Sequence, residues 1–294
     1  MLIFVKIYLM WMANKNQRDW TNVISSKKSL FDFNLKELFK YRDLIFVLVK
    51  RDLVSIYKQT ILGPVWFLFG PLFTVFTYTF AFGTIAHIST DGIPAPVFYL
   101  SGTILWNYFQ NCFNGASNTF SANANIFGKV YFPRIIPSLS LTISNLVKLG
   151  LQFVVFLIFC LYYSNTGIIS MNFYIVFFPV LIIIMAMLSL GIGLIISSFT
   201  VKYKDVNQLI GAFIMLLMYA SPIIYPTSSV PAMLKPYLSL NPICPIIDTF
   251  RYAFTGAGLP NMFGVIYSLF FSLIILIIGV LFFNRVEKNF IDSF

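Results

Sequence analysis

Acidic side chains are nearly missing from the middle of this chain, and their absence narrows its chemistry. Ten Asp and Glu residues occur among 294. None lies deep in an apolar stretch: Asp205 sits at the edge of one, and Asp248 in a connection between two. Transporters driven by protons or sodium ions ordinarily carry buried acids or broken helices at the midplane, so ion coupling is disfavoured. The clustered carboxylates and histidines of a membrane glycosyltransferase or acyltransferase are missing as well. His87 is the one histidine, at the end of an apolar stretch, and alone it builds no metal site. Cys112, Cys160 and Cys244 are odd in number and have neither disulfide nor metal-ligand spacing. They read as small apolar packing residues. No G-x-x-x-x-G-K-[ST] sequence occurs, because Gly128-Lys129 runs into Val130. The chain is therefore not its own ATPase by that route. Charged residues make up only 10% of the chain, and the mean hydropathy of +0.84 excludes a soluble globular domain.

Long apolar runs are what the sequence has instead. Six qualify as spans: Val65–Ala86, Ala95–Phe113, Ile135–Tyr163, Phe173–Ser198, Val206–Tyr225 and Met262–Phe283. A helix needs about 20 mostly apolar residues to cross the hydrocarbon core. With the amino end inside, the inner side receives eleven Lys and Arg from residues 1–62. It also receives Lys129, Arg134, Lys202, Lys204, Arg285 and Lys288, against only Lys235 and Arg251 outside. The positive-inside rule prefers this orientation, which makes both termini cytoplasmic. The net charge of +10 is then explained by the anionic inner leaflet, not by nucleic acid.

Before the first span, Asn34 and Glu37 have capping-box spacing. The stretch Leu35–Tyr57 mixes Leu38, Ile45, Leu48, Val49, Leu53 and Ile56 with Lys36, Lys40, Arg42, Lys50 and Arg51. It is expected as a basic amphipathic helix lying on the inner surface. Ahead of it, Met1–Met12 is apolar apart from Lys6, like a signal-peptide core without a cleavage site. An interfacial contact and a start upstream of the true one both account for it. The segment Gly115–Arg134 reads as an inner loop, small and polar up to Asn125, then Lys129-Val130-Tyr131-Phe132-Pro133-Arg134. Two aromatics between two cations suit a soluble partner, or else mark a span end with its interfacial belt. On the outer side, Pro226–Asn261 carries apolar runs broken by Pro231, Pro236, Pro242 and Pro245. Runs that short suit re-entrant or interfacial helices. Asp248 and Arg251, three residues apart, share a helical face there, as a local ion pair or as part of an outer gate.

Several of these strings resemble the membrane subunit of ABC-2-type polysaccharide exporters, which handle O-antigen, capsule or teichoic-acid chains. Val49-Lys50-Arg51-Asp52-Leu53, Tyr57-Lys58-Gln59 and Leu62-Gly63-Pro64-Val65-Trp66 look like that family's entry to its first span. Asn123-Ala124-Asn125 with Lys129 to Arg134 looks like its second inner loop. Tyr203-Lys204-Asp205-Val206, Ser221-Pro222-Ile223-Ile224-Tyr225-Pro226, and Asn241-Pro242 with Phe250-Arg251 follow in order. The resemblance implies a homodimeric permease working with two copies of a separate ATP-binding cassette subunit. ATP and Mg would be used by that partner, with no cofactor on this chain. It also implies a coupling loop at Lys129, Tyr131, Phe132, Pro133 and Arg134, and a channel entry at Leu62, Gly63, Pro64 and Trp66. The substrate would be a lipid-linked polysaccharide moving outward.

Trp66, Phe69, Phe73, Phe76 and Phe80 recur at three- and four-residue steps, so they form one stripe, either channel-lining or lipid-facing. Lys148 falls near mid-membrane, about 21 Å along a helix from Arg134. It faces a substrate pyrophosphate, or else backbone carbonyls or a second subunit. Ser189, Gly193 and Ser197 form a small-residue face for close helix packing. The expected whole is an all-α, six-span integral membrane protein of the cytoplasmic membrane. Residues 1–33 form a cytoplasmic extension, 34–62 the amphipathic interfacial helix and 63–294 the transmembrane domain, with short re-entrant helices before the last span. Its rivals are an ABC-2 exporter of a drug or other small molecule, a membrane enzyme of glycan assembly, and a scaffold that only anchors a partner.

Overall fold

A computed structural model describes residues 39–58 and 66–290, except 128, 131, 204 and 259. The extension 1–33, the Asn34/Glu37 capping box and channel-entry residues Leu62, Gly63 and Pro64 lie outside the described residues. Every regular element among the described residues is helical. In hydrocarbon each backbone polar group has to be satisfied within its own segment, which favours helices for such apolar runs. In chain order they are α1 (Arg42–Lys58), α2 (Trp66–Tyr78), α3 (Ala95–Ser117), α4 (Thr119–Phe127) and α5 (Ile136–Asn165). There follow α6 (Phe178–Thr200), α7 (Val206–Tyr219), α8 (Lys235–Leu240), α9 (Ile243–Thr255) and α10 (Met262–Phe290).

Four helical stretches are long and apolar enough to cross a membrane: Leu68–Ile85, Ile136–Asn165, Phe173–Thr200 and Met262–Glu287. The 23-residue α3 has the length but carries Asn107, Gln110, Asn111 and Asn114. The apolar helix in the fifth expected stretch has 14 residues. Proline sits in the first turn of α3, α5 and α6, where its missing N–H goes unneeded. In α2, Pro71 is internal, and Thr74 and Thr77 bond back to the carbonyls of Gly70 and Phe73 at 3.0 and 2.8 Å. Both features loosen the backbone ladder, and the helix widens into a π-helix at Thr79–Ile85.

The packed centre is α6, laid along α10 on one side and α3 on the other. Glycines set both approaches. A Cβ on Gly279 would strike the Gly191 carbonyl, and one on Gly191 would come within 2.7 Å of Leu276 N. A Cβ on Gly193 would come within 2.5 Å of the Ala116 Cβ. Close approach through small residues is the general means of joining helices in lipid. Ser189 and Ser197, on the expected small-residue face, are fully buried beside Gly193. Gly191 and Gly279, the tighter contact, were not singled out by the sequence pattern.

One expectation needs correcting. Gly115–Phe127 is not a loop: α3 runs through Ser117 and α4 through Phe127. Its small polar residues are spent on helix backbone. Asn118 Nδ2 donates to Asn114 O at 3.0 Å, and Asn123 Nδ2 to Thr119 O at 2.9 Å. Thr119 and Ser138 hydroxyls meet at 2.6 Å, tying α4 to α5. Among the described residues of this segment, non-helical backbone is left at Asn118 and over 129–130 and 132–135.

Candidate functional site

At one end of the bundle the short helices gather around a buried cation. α9 starts after Pro242 and stops at Gly256, whose φ of 73° supplies a left-handed cap. Ile243, Ile246, Ile247, Phe250 and Phe254 of α9 are buried, and Arg251 shares that buried face at 4% exposure. Its Nε donates to Ser101 Oγ at 3.0 Å and its Nη1 to Pro222 O at 2.5 Å. Nη2 reaches Ile223 O at 3.0 Å and Phe98 O at 3.4 Å. The guanidinium lies 3.7 Å over the Phe98 ring, a cation–π contact. A Cβ on Gly102 would sit 2.9 Å from Nη2, so the glycine makes room for the fork. Burial lowers the Arg251 pKa to about 10, while the Asp248 and Asp91 charges pull it back up. The group stays cationic at neutral pH, so this is a buried charge satisfied by carbonyl dipoles and a hydroxyl.

Asp248 and Arg251 share a face, yet they make no ion pair among the described residues. Thr227 Oγ1 donates to Asp248 Oδ2 at 2.7 Å instead. Burial raises the Asp248 pKa; the Thr227 hydrogen bond and the Arg251 charge oppose it. Next to Thr227, Ser228 Oγ donates to both Asp91 oxygens at 2.7 and 2.8 Å. Asp91 lies on the connection between α2 and α3 with a φ of 54°. Asn241 Nδ2 donates to Ser221 Oγ at 2.9 Å and to Ala220 O at 3.0 Å, while its Oδ1 accepts from Ile243 N at 3.0 Å. The strings around Ser221-Pro222-Ile223 and Asn241-Pro242 are therefore one hydrogen-bonded unit, which their order in the sequence did not reveal. Ser101, Gly102 and Phe98 complete it. The only signal for them was a Ser-Gly pair inside an apolar run.

The opposite end is built on aromatics. Phe120, Phe127, Phe132, Ile136, Leu194 and Phe283 form a buried cluster, with Tyr41, Leu44, Ile45 and Leu48 packed against it. Arg134 is buried there, 5.5 Å from the Phe127 ring centre, with Nη1 donating to Glu287 O at 3.3 Å. Of the expected coupling residues, Phe132 and Arg134 thus anchor the segment. Lys129 and its neighbour Val130 are exposed, and Pro133 is half-buried. Tyr131 lies outside the described residues.

Lys148 is half-buried on α5, within electrostatic reach of Asp52 on α1 and Cys112 on α3. α1 packs along α5, which brings the basic amphipathic segment to this lysine. On α2 and the π-helix that continues it, Phe69, Phe73, Phe76 and Phe80 are 38% to 70% exposed in the single chain. The side chain of Trp66 lies outside the described residues. No group of three or more His, Cys, Asp or Glu residues among the described residues is placed to hold a metal ion.

Long apolar helices packed through glycine contacts, with a basic amphipathic helix before the first and short proline-broken helices before the last, define the class. It is that of helical membrane domains of transport proteins. Within that class, the ABC-2 type transporter family matches residues 43–255, and the chain belongs to it. An O-antigen export system permease protein RfbA from Klebsiella pneumoniae is 28% identical over 266 residues, 88% of this chain and 97% of the relative. The polysialic acid transport protein KpsM of Escherichia coli is 24% identical, covering 83% of this chain and 93% of its own length. The capsule polysaccharide export inner-membrane protein CtrC of Neisseria meningitidis is 21% identical over 87% of this chain and 95% of the relative.

Proposed function

We infer that this chain is the membrane-spanning permease subunit of an ATP-driven exporter, and that it moves lipid-linked polysaccharide outward across the cytoplasmic membrane. The observation that carries this reading is the family match combined with near-full-length similarity to export permeases for O-antigen and capsule. The missing Walker sequence supports a separate ATPase, present in two copies, which would use the ATP and Mg. A homodimer would supply the second wall of the conduit. In this reading α3 and α7 complete six spans, both termini are cytoplasmic, and α8 and α9 re-enter from the outer side. Of the polar residues of α3, Asn107, Gln110 and Asn114 are half-buried and Asn111 is exposed, so a span here would turn them toward a wet interior or a second subunit. The domain limits 1–33, 34–62 and 63–294 belong to the same proposal.

Within this reading the site residues take the following roles. Lys129 and Tyr131 would meet the ATPase, held in place by Phe132, Pro133 and Arg134. The segment Leu62, Gly63, Pro64 and Trp66 would open the entry. Phe69, Phe73, Phe76 and Phe80 would give sugar C–H faces a flat, weakly binding track. Asp248 and Arg251 would belong to the outer gate. Lys148 would meet the anionic head of the lipid carrier. The test is deletion of the gene in its own host. Surface polysaccharide should vanish and lipid-linked glycan should collect inside the cell, and the purified permease should bring down an ATPase. Unchanged surface glycan together with altered drug sensitivity would overturn the reading in favour of a small-molecule exporter.

A further inference from the structure

A cavity of about 550 Å³ opens beside the buried arginine, lined by Asp91, Thr227, Ser228, Lys235, Asp248 and Arg251 among others. Its walls come from the α2–α3 connection and the start of α3, the Thr227–Ser229 turn, the start of α8, α9, and the α9–α10 connection with Asn261. We propose that this cavity is a low-affinity subsite for a neutral sugar residue, placed on the exit side of the permease. The inference rests on the polysaccharide-export reading for its exit-side placement and for which glycan passes it; the pocket's chemistry is argued independently.

Three features select a polyhydroxylated neutral ligand. First, the two carboxylates already accept from hydroxyls, Asp91 from Ser228 and Asp248 from Thr227. A carboxylate has about four acceptor positions, so each keeps room for further hydroxyl donors of the same kind. Second, the Arg251 guanidinium is committed to Ser101 and three backbone carbonyls. It forms a fixed wall, not a free anion receptor. An anion entering would face two carboxylates and one uncommitted cation, Lys235. Third, a divalent cation would have to displace both hydroxyl contacts while lying beside Lys235 and Arg251. The acids of the pocket, Asp91 and Asp248, are only two, short of a dedicated oxygen cage. A sugar ring needs both acceptors and a donor, and this pocket offers them at neutral balance. Phe98 is also in the lining, but its face is covered by Arg251. Among the described residues no aromatic platform is open, which is why the binding is weak. A chain sliding outward is held briefly and released.

The full-length permease in lipid nanodiscs is titrated with methyl α-mannoside and methyl α-galactoside, and contact is read by saturation-transfer NMR. Inorganic phosphate and calcium serve as competitors. At least one glycoside should bind in the millimolar range, and Asp91→Asn and Lys235→Ala should each weaken it about tenfold. Asp43→Asn, on α1 far along the chain, should leave binding as it was. Asp91 and Lys235 are exposed, so these variants are expected to fold; a melting curve for each checks that. The proposal is overturned if neither glycoside binds, if both variants bind like wild type, or if phosphate or calcium occupies the pocket in preference. Export is scored separately as surface glycan. Normal export without glycoside binding ends the subsite and leaves the exporter reading standing. Binding without export does the reverse.

Discussion

Two neighbouring helices, both rich in aromatics, meet opposite fates. α3 carries Phe98, Tyr99, Trp106, Tyr108, Phe109 and Phe113, each at most 3% exposed. α2 and its π-helical continuation carry Phe69, Phe73, Phe76 and Phe80, none less than 38% exposed, and Val75 is their only buried hydrophobic residue among the described ones. Aromatic content does not separate them. Small residues do. α3 offers Ser101 and Gly102 to Arg251 and Ile223, and Ala116 to Gly193, so other elements close over it. α2 has Pro71 and a widened backbone, and Phe73, Phe76 and Phe80 of its stripe stay more than half exposed. Aromatic side chains that cannot be covered from within need lipid, a second subunit or substrate outside.

The sharpest way to break this contrast is on the α3 side. Arg251→Met removes the cation that joins α3, α9 and the Pro222 turn, and leaves a buried hydroxyl and carbonyls unpaired. A loss of roughly 3–5 kcal/mol is expected, by analogy with broken buried charge networks. A fall in the melting temperature of the detergent-solubilised protein measures it; an unshifted melt would remove Arg251 as the organising group. Phe109→Ala should cost about 3–5 kcal/mol through cavity formation. Phe76→Ala on α2 should cost the isolated chain well under that, since little burial is lost. Equal losses at the two sites would end the comparison.

Gly279→Ala comes next. Its Cβ meets the Gly191 carbonyl, which is backbone and cannot step aside, so about 1–3 kcal/mol is expected. Gly70→Ala, with nothing within 4 Å, should be silent or slightly stabilising in the same melt. The paired change Phe73→Ala with Phe76→Ala sharpens the α2 side. Permease abundance should hold while surface glycan drops several-fold, and normal export would return the stripe to lipid contact.

The smallest effect is one of pH. The Asp248 pKa is raised by burial, so the folded state holds its proton more tightly than the unfolded chain does. That contribution is complete below the ordinary carboxylate pKa of about 4 and fades as pH rises through the raised value. Asp248→Asn should flatten the melting-temperature profile on that alkaline side. An unchanged profile would mean that Asp248 does not titrate in that range.

Periodicity found the long helices because backbone satisfaction in an apolar medium depends on local composition alone. It misread Gly115–Phe127, since Ser, Thr and Asn suggest a loop until their side chains are seen bonding to helix carbonyls. It placed Asp248 and Arg251 on one face correctly but not their partners. Phe98, Ser101 and Pro222 are 153, 150 and 29 residues from Arg251, and no spacing rule reaches that far.

The sequence by itself determined that this is a helical membrane protein, where its charges gather, which family it belongs to and that it carries no Walker sequence of its own. These follow from local hydropathy and short motifs. Only the tertiary structure decided which aromatics are covered, which glycine carries which contact, and that a buried arginine gathers three distant segments. Those depend on which surfaces meet across the bundle, and packing, unlike hydropathy, is not a property of any one stretch of chain.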